Sequence, residues 1–129
     1  MINRVSPVDL GTHRTPGETD VQLPDLLSRQ IAFIHAGDLD GLMTQYAPNA
    51  RLVRADLQVT GADAIRDVMA TYLAQSPRVE SVESFGFLDD TLVYVATLRV
   101  GEATVTGVGS FVLRGGLIWR QTAALLPRL

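Results

Sequence analysis

The 129-residue chain contains no cysteine, so disulfides, thiolate metal sites and cysteine nucleophiles are excluded. Lysine is absent as well. All eleven basic residues are arginines, which removes Schiff-base chemistry and a phosphate-loop lysine. Two histidines, His13 and His35, are too few for a histidine-rich metal centre. No apolar run approaches the roughly 18 residues that a membrane span needs, so no membrane partner is expected. Neither sign of charge dominates. Eleven basic residues face fourteen acidic ones, with a net charge of −3. That is not the clustered basic face of a nucleic-acid binder. The N-terminus lacks an apolar signal core, and a cytoplasmic location is the expectation.

What is present is enough for one packed domain: 47% of residues are hydrophobic and 19% charged. Residues 1–20 carry two prolines, two glycines and no periodicity, and read as a flexible tail. The folded domain is expected over 21–129.

From Pro24 to Ala36 the sequence predicts a helix, with Leu23, Leu27, Ile31 and Ile34 as its apolar stripe. Gly37 suits its C-terminal stop. Asp38 can cap a short second helix that turns Leu39, Leu42, Met43 and Tyr46 inward and ends at Pro48. A strand follows over Arg51–Asp56, with Leu57–Thr60 as its continuation after a bend. Thr60 and Asp63 suit a capping box for a third helix that buries Ile65, Val68, Met69, Tyr72 and Leu73.

Beyond Pro77 the pattern becomes strand throughout: Val79–Phe87, Thr91–Val100, Ala103–Leu113 and Leu117–Leu126, with Gly115-Gly116 as the strongest hairpin signal. Gly107 and Gly109 suggest a bend or bulge. Three helices followed by a strand meander give an α+β fold, with the helices packed on one face of an antiparallel sheet. The strand Thr91–Val100 is apolar on both faces, so its second face needs a cover.

The candidate site residues are polar or aromatic side chains on otherwise apolar stripes. Gln30 lies within the stripe of the first helix. It is either a satisfied core amide or a pocket hydrogen-bond donor. Arg54 shares a strand face with Leu52 and Asp56. The two charges form either an exposed ion pair or a catalytic pair, in which Arg54 stabilises negative charge and Asp56 moves a proton. Tyr46, Tyr72, Tyr94 and Trp119 are either core residues or the walls of a ligand pocket. His35, at the end of the first helix, should have its pKa raised modestly by the helix dipole.

The run IAFIHAGDLDGLMTQYAPNARLVRADLQVTGADAIRDV, from Ile31 to Val68, resembles the nuclear transport factor 2-like superfamily, in its SnoaL-like and ketosteroid isomerase-like branch. The resemblance extends over about Leu23 to Leu126. It implies a cystatin-like fold, a cone-shaped half-barrel in which a curved antiparallel sheet packs on three N-terminal helices around an apolar pocket. It also implies a homodimer through the outer sheet face and a cofactor-free site without metal.

Aligned on Gly37-Asp38, Gln30 falls where the isomerase places its oxyanion-hole tyrosine, and Arg54 falls on its general-base aspartate. The isomerase's second acid aligns with Val108, with Ser110 on the same face. Ala123 stands where SnoaL-like cyclases place an acid. Arg99 lacks the paired aspartates of the epoxide-hydrolase branch. The resemblance thus carries the fold, while the known acids of these enzymes are missing. Three readings follow. The first is a cofactor-free isomerase, cyclase or hydrolase acting on a small apolar or anionic molecule. The second is a non-catalytic carrier or sensor, and the third is a dimeric interaction module with a filled pocket.

Overall fold

The computed structural model describes residues 3–4 and 23–127. Strand β1 is Asn3–Arg4, and helices α1 (Asp25–Ala36) and α2 (Leu39–Met43) follow. Next come β2 (Tyr46–Arg54), β3 (Leu57–Thr60), α3 (Ala62–Leu73), β4 (Arg78–Leu88), β5 (Thr91–Val100), β6 (Ala103–Arg114) and β7 (Leu117–Pro127). The strands form one sheet in the order β1-β4-β5-β6-β7-β2-β3. Every neighbouring pair is antiparallel except β2 with β7, which run parallel. The fold is α+β, as expected. No described helix is long and apolar enough to cross a membrane. Of the expected N-terminal tail only Asn3–Arg4 is described, paired with Ser84 and Phe85 at the sheet edge. The rest of that tail lies outside the described residues.

Local chemistry sets the helix ends. Gly37 takes the left-handed conformation (φ 64°) that ends α1. The Asp38 side chain accepts from the Gly41 amide and starts α2. α3 departs from the expected capping box. Its cap is Gly61, with no side-chain cap hydrogen bond, because Thr60 is already committed to β3 opposite Arg51.

The largest correction concerns the segment after α2. Tyr46 is not on a helix face and Pro48 does not end a helix. β2 already starts at Tyr46, where the Gln45 carbonyl accepts from the Ile118 amide at 2.7 Å. Pro48 is accommodated where the β2–β7 register slips between Tyr46 and Arg51, so its missing N–H breaks no regular ladder. Leu57–Thr60 does not continue that strand either. The chain reverses at Ala55-Asp56, and β3 pairs antiparallel with β2.

The meander is as expected to within a residue or two at each strand end. Its curvature does not come from bulges at Gly107 and Gly109, where β6 keeps continuous register with both neighbours. Those glycines make room instead. A Cβ at Gly107 would lie 2.4 Å from Leu98 Cδ1, and one at Gly109 would lie 2.6 Å from the Tyr94 hydroxyl. The register shifts fall in the β4–β5 pairing, between Val79 and Ser81 and between Val82 and Ser84, and beside Val112-Leu113 in β6–β7.

The core lies between the helices and the concave face. Leu42, Leu52, Ile65, Leu92, Phe111 and Ile118 are fully buried there. α1 and α3 lie over β2 and β4 without closing the space completely, and this leaves the site.

Candidate functional site

Between the helices and the concave face of the sheet lies a cavity of about 370 Å³. Its deep end is walled by Leu27, Leu52, Met69, Val82 and Phe111, all buried. Its mouth is marked by the exposed Ala55, Asp56, Leu125 and Leu126, where the β2–β3 turn meets the end of β7. Along β5, Tyr94, Ala96 and Leu98 face the cavity, while Val93 lies on the outer face beside Val108, Ser110 and Thr122.

Three buried glutamines carry the interior polarity. Gln30 Nε2 donates to Gln45 Oε1 at 2.7 Å, and Gln45 Nε2 donates to the Leu26 carbonyl at 3.1 Å. A backbone carbonyl can only accept, so it fixes the direction of the whole relay. Gln121 is the third. Its Oε1 accepts from the Tyr46 hydroxyl at 2.6 Å. Neither Gln45 nor Gln121 stands out as a site residue in the sequence. The available signal was an amide interrupting an apolar strand, visible at Gln121 only once its partner strand is known.

Three phenols share this region. Tyr94 stacks on Phe111 with ring centroids 5.7 Å apart. Burial pushes the Tyr94 phenol up to about 12. Burial, reinforced by the neighbouring Tyr94, raises Tyr46 and Tyr72 well above the ordinary phenol range. All three are neutral near pH 7. Tyr72 and Tyr94 line the cavity. Tyr46 lies behind Gln121 and is not part of the lining.

Arg54 and Asp56 stand together at the mouth. The guanidinium holds the carboxylate through Nη2 at 2.8 Å and Nε at 3.1 Å. Asp56 is held below its usual range chiefly by that hydrogen bond. Its side chain is 70% exposed and that of Arg54 37%. Trp119 does not line the cavity. Its ring is flanked by the Arg114 and Arg120 guanidiniums, 3.6 and 4.2 Å from the centroid.

His35 plays a structural part. Its Nε2 accepts from the Val79 amide at 3.0 Å, tying α1 to β4. Its pKa is lowered, not raised as the helix dipole suggested, because burial and the nearby Arg78 charge outweigh that dipole. Among the described residues no group of His, Asp and Glu could hold a metal ion.

Residues 27–121 match the family description of the SnoaL-like domain. The chain belongs to the SnoaL-like family. No curated protein matches it. Solved structures agree on the fold. A candidate polyketide cyclase from Sinorhizobium meliloti superposes with a TM-score of 0.69 at 24% identity, over 79% of this chain and 95% of that one. A candidate ketosteroid isomerase from Kribbella flavida gives 0.71 at 14% identity, over 81% and 77%. An NTF2-like protein from Cytophaga hutchinsonii gives 0.68 at 12%, over 83% and 94%. At these identities the likeness carries the architecture of this SnoaL-like domain and leaves its chemistry to its own side chains.

Proposed function

We propose that this SnoaL-like domain binds a small, largely apolar organic molecule in the cone cavity, with Arg54 and Asp56 meeting the ligand's outer end. The observation that carries this is the cavity itself. It has a volume suited to small-molecule sites, apolar walls and a few polar groups on rigid elements. Gln30, Tyr72 and Tyr94 supply polar contacts, with Tyr46 acting through Gln121. Binding without turnover, as in a carrier or sensor, is the reading the chemistry favours. Among the described lining residues the interior titratable groups are phenols held neutral, and the carboxylate at the mouth, Asp56, is weakened as a base by its arginine.

A second reading, cofactor-free isomerisation, cyclisation or hydrolysis, is favoured by Arg54 and Asp56 both lying on the lining. There Arg54 would stabilise developing negative charge and Asp56 would move a proton. Either reading extends to a cytoplasmic homodimer joined through the outer sheet face, where the half-buried Val93, Val95 and Val108 invite a cover.

The test is thermal shift with tetralin and 1-tetralone, on the wild type and on Ala96→Trp, whose new side chain fills the cavity. The wild type should melt higher with either probe and the variant should not respond. Equal shifts in both proteins would place binding elsewhere. Turnover is then sought with any bound ketone. Loss of a measured rate in Asp56→Asn with unchanged affinity supports the second reading.

A further inference from the structure

We infer that the cavity is built for a neutral ligand that carries both a hydroxyl group and a carbonyl group, and that it selects against carboxylates. This rests on the binding reading above and names the ligand class it would take.

Two hydrogen-bond chains leave one amide atom over at each of two buried glutamines. In the first, the Leu26 carbonyl forces Gln45 to present Oε1 to Gln30, so Gln30 must turn its Nε2 to Gln45. Its own Oε1 is then left without a donor among the described residues. In the second, the Tyr46 hydroxyl takes Gln121 Oε1, and Gln121 Nε2 has no acceptor among the described residues. Both glutamines line the cavity and both are only 5% exposed. A buried polar atom without a partner is costly, and a ligand that satisfies it recovers that cost. From its two glutamines the cavity therefore offers an acceptor, Gln30 Oε1, and a donor, Gln121 Nε2, beside the Tyr72 and Tyr94 hydroxyls, which can donate or accept. A ligand hydroxyl answers the first and a ligand carbonyl the second.

Charge is treated differently. Among the described residues no interior lining residue carries a formal positive charge, and Arg54 at the mouth is already occupied by Asp56 on two of its nitrogens. A carboxylate entering the cavity would lose its water with no free cation to replace it.

The experiment is calorimetric titration of 6-hydroxy-1-tetralone against three matched probes: 6-methoxy-1-tetralone, 5,6,7,8-tetrahydro-2-naphthol, which lacks the carbonyl, and 6-hydroxy-2-naphthoate. Tetralin is the apolar control. Removing either the hydroxyl donor or the carbonyl should weaken binding about tenfold, and the carboxylate should not bind. The hydroxyl-to-methoxy gap should close in Gln30→Leu, and the carbonyl gap in Gln121→Leu.

If either variant fails to fold, the gaps in the wild type still decide. If the four bicyclic probes and tetralin bind alike, or if the carboxylate binds as well as the hydroxyketone, this inference is overturned while the cavity stands. If tetralin and every other probe leave the protein unchanged, the binding reading falls with it.

Discussion

The deep end of the cavity and its mouth solve the problem of polarity in opposite ways. Inside, polarity is carried by amides and phenols, none of them charged. At the mouth it is carried by a formal ion pair that remains in contact with water. The difference follows from solvation. Burying an isolated charge is prohibitive, whereas a hydrogen-bonded amide is tolerated. The interior is thus fitted to read shape and hydrogen-bond direction, and the rim to read charge.

Substitutions should separate the two regions by the size of their effects. Phe111→Ala removes a fully buried ring from the deep wall, along with its stack on Tyr94. It should cost about 3–5 kcal/mol in urea unfolding. A loss near the level of a surface substitution would mean that the deep wall is not packed as described. Gln45→Leu should cost about 1–3 kcal/mol, because Gln30 Nε2 loses its acceptor in a buried setting. If that variant is as stable as the wild type, the relay carries no structural weight.

His35 stands between the two regimes as a half-buried titratable group. Its folded-state pKa lies below the ordinary value of 6.5, so the unfolded chain takes up the proton first. Stability is complete above that value and declines as the pH falls through the window below it. The melting temperature should therefore drop as the pH falls below about 6.5. The drop should be shallower in His35→Gln, which can still accept from Val79. Parallel curves for the two proteins would assign the acid sensitivity elsewhere. At the mouth, Arg54→Ala and Asp56→Asn should leave the melting temperature unchanged, since an exposed pair contributes little. Asp56→Asn should nevertheless gain affinity for 6-hydroxy-2-naphthoate, because it frees the guanidinium.

Most of the architecture was legible in local patterns. The strand patterning and the Gly115-Gly116 turn placed the four long strands. The 3.6-residue stripes placed α1 and α3. Where the pattern misled, a long-range contact had overridden a local signal. Pro48 usually ends a helix, yet here it sits in β2, because Tyr46 and Ala47 are drawn into the core beside β7. Thr60 resembles a helix cap but is held in β3 by its pairing with Arg51.

The site was legible only in part. Gln30, Tyr72, Tyr94, Arg54 and Asp56 could be singled out because each interrupts or borders an apolar stripe. The partners that orient them could not. Tyr46 and Gln121 are 75 positions apart, and only the parallel pairing of β2 with β7 brings them together. Trp119 reads in the sequence as an aromatic pocket wall, on a strand read with regular period-two parity. The register shift beside it, opposite Val112-Leu113, breaks that parity.

That β2–β7 pairing has a bearing on how the molecule is made. β7 is the last described strand along the chain, yet it sits inside the sheet between β6 and β2. While a ribosome is still extending the chain, α3 and the β4–β6 meander can assemble, but β2 and β6 both have an open edge. The cavity does not exist until the final strand slides between them and the Tyr46–Gln121 bond closes. Closure over so long a stretch of chain is slow. Until then the nascent chain presents two unpaired strand edges, the state in which it is most open to mispairing.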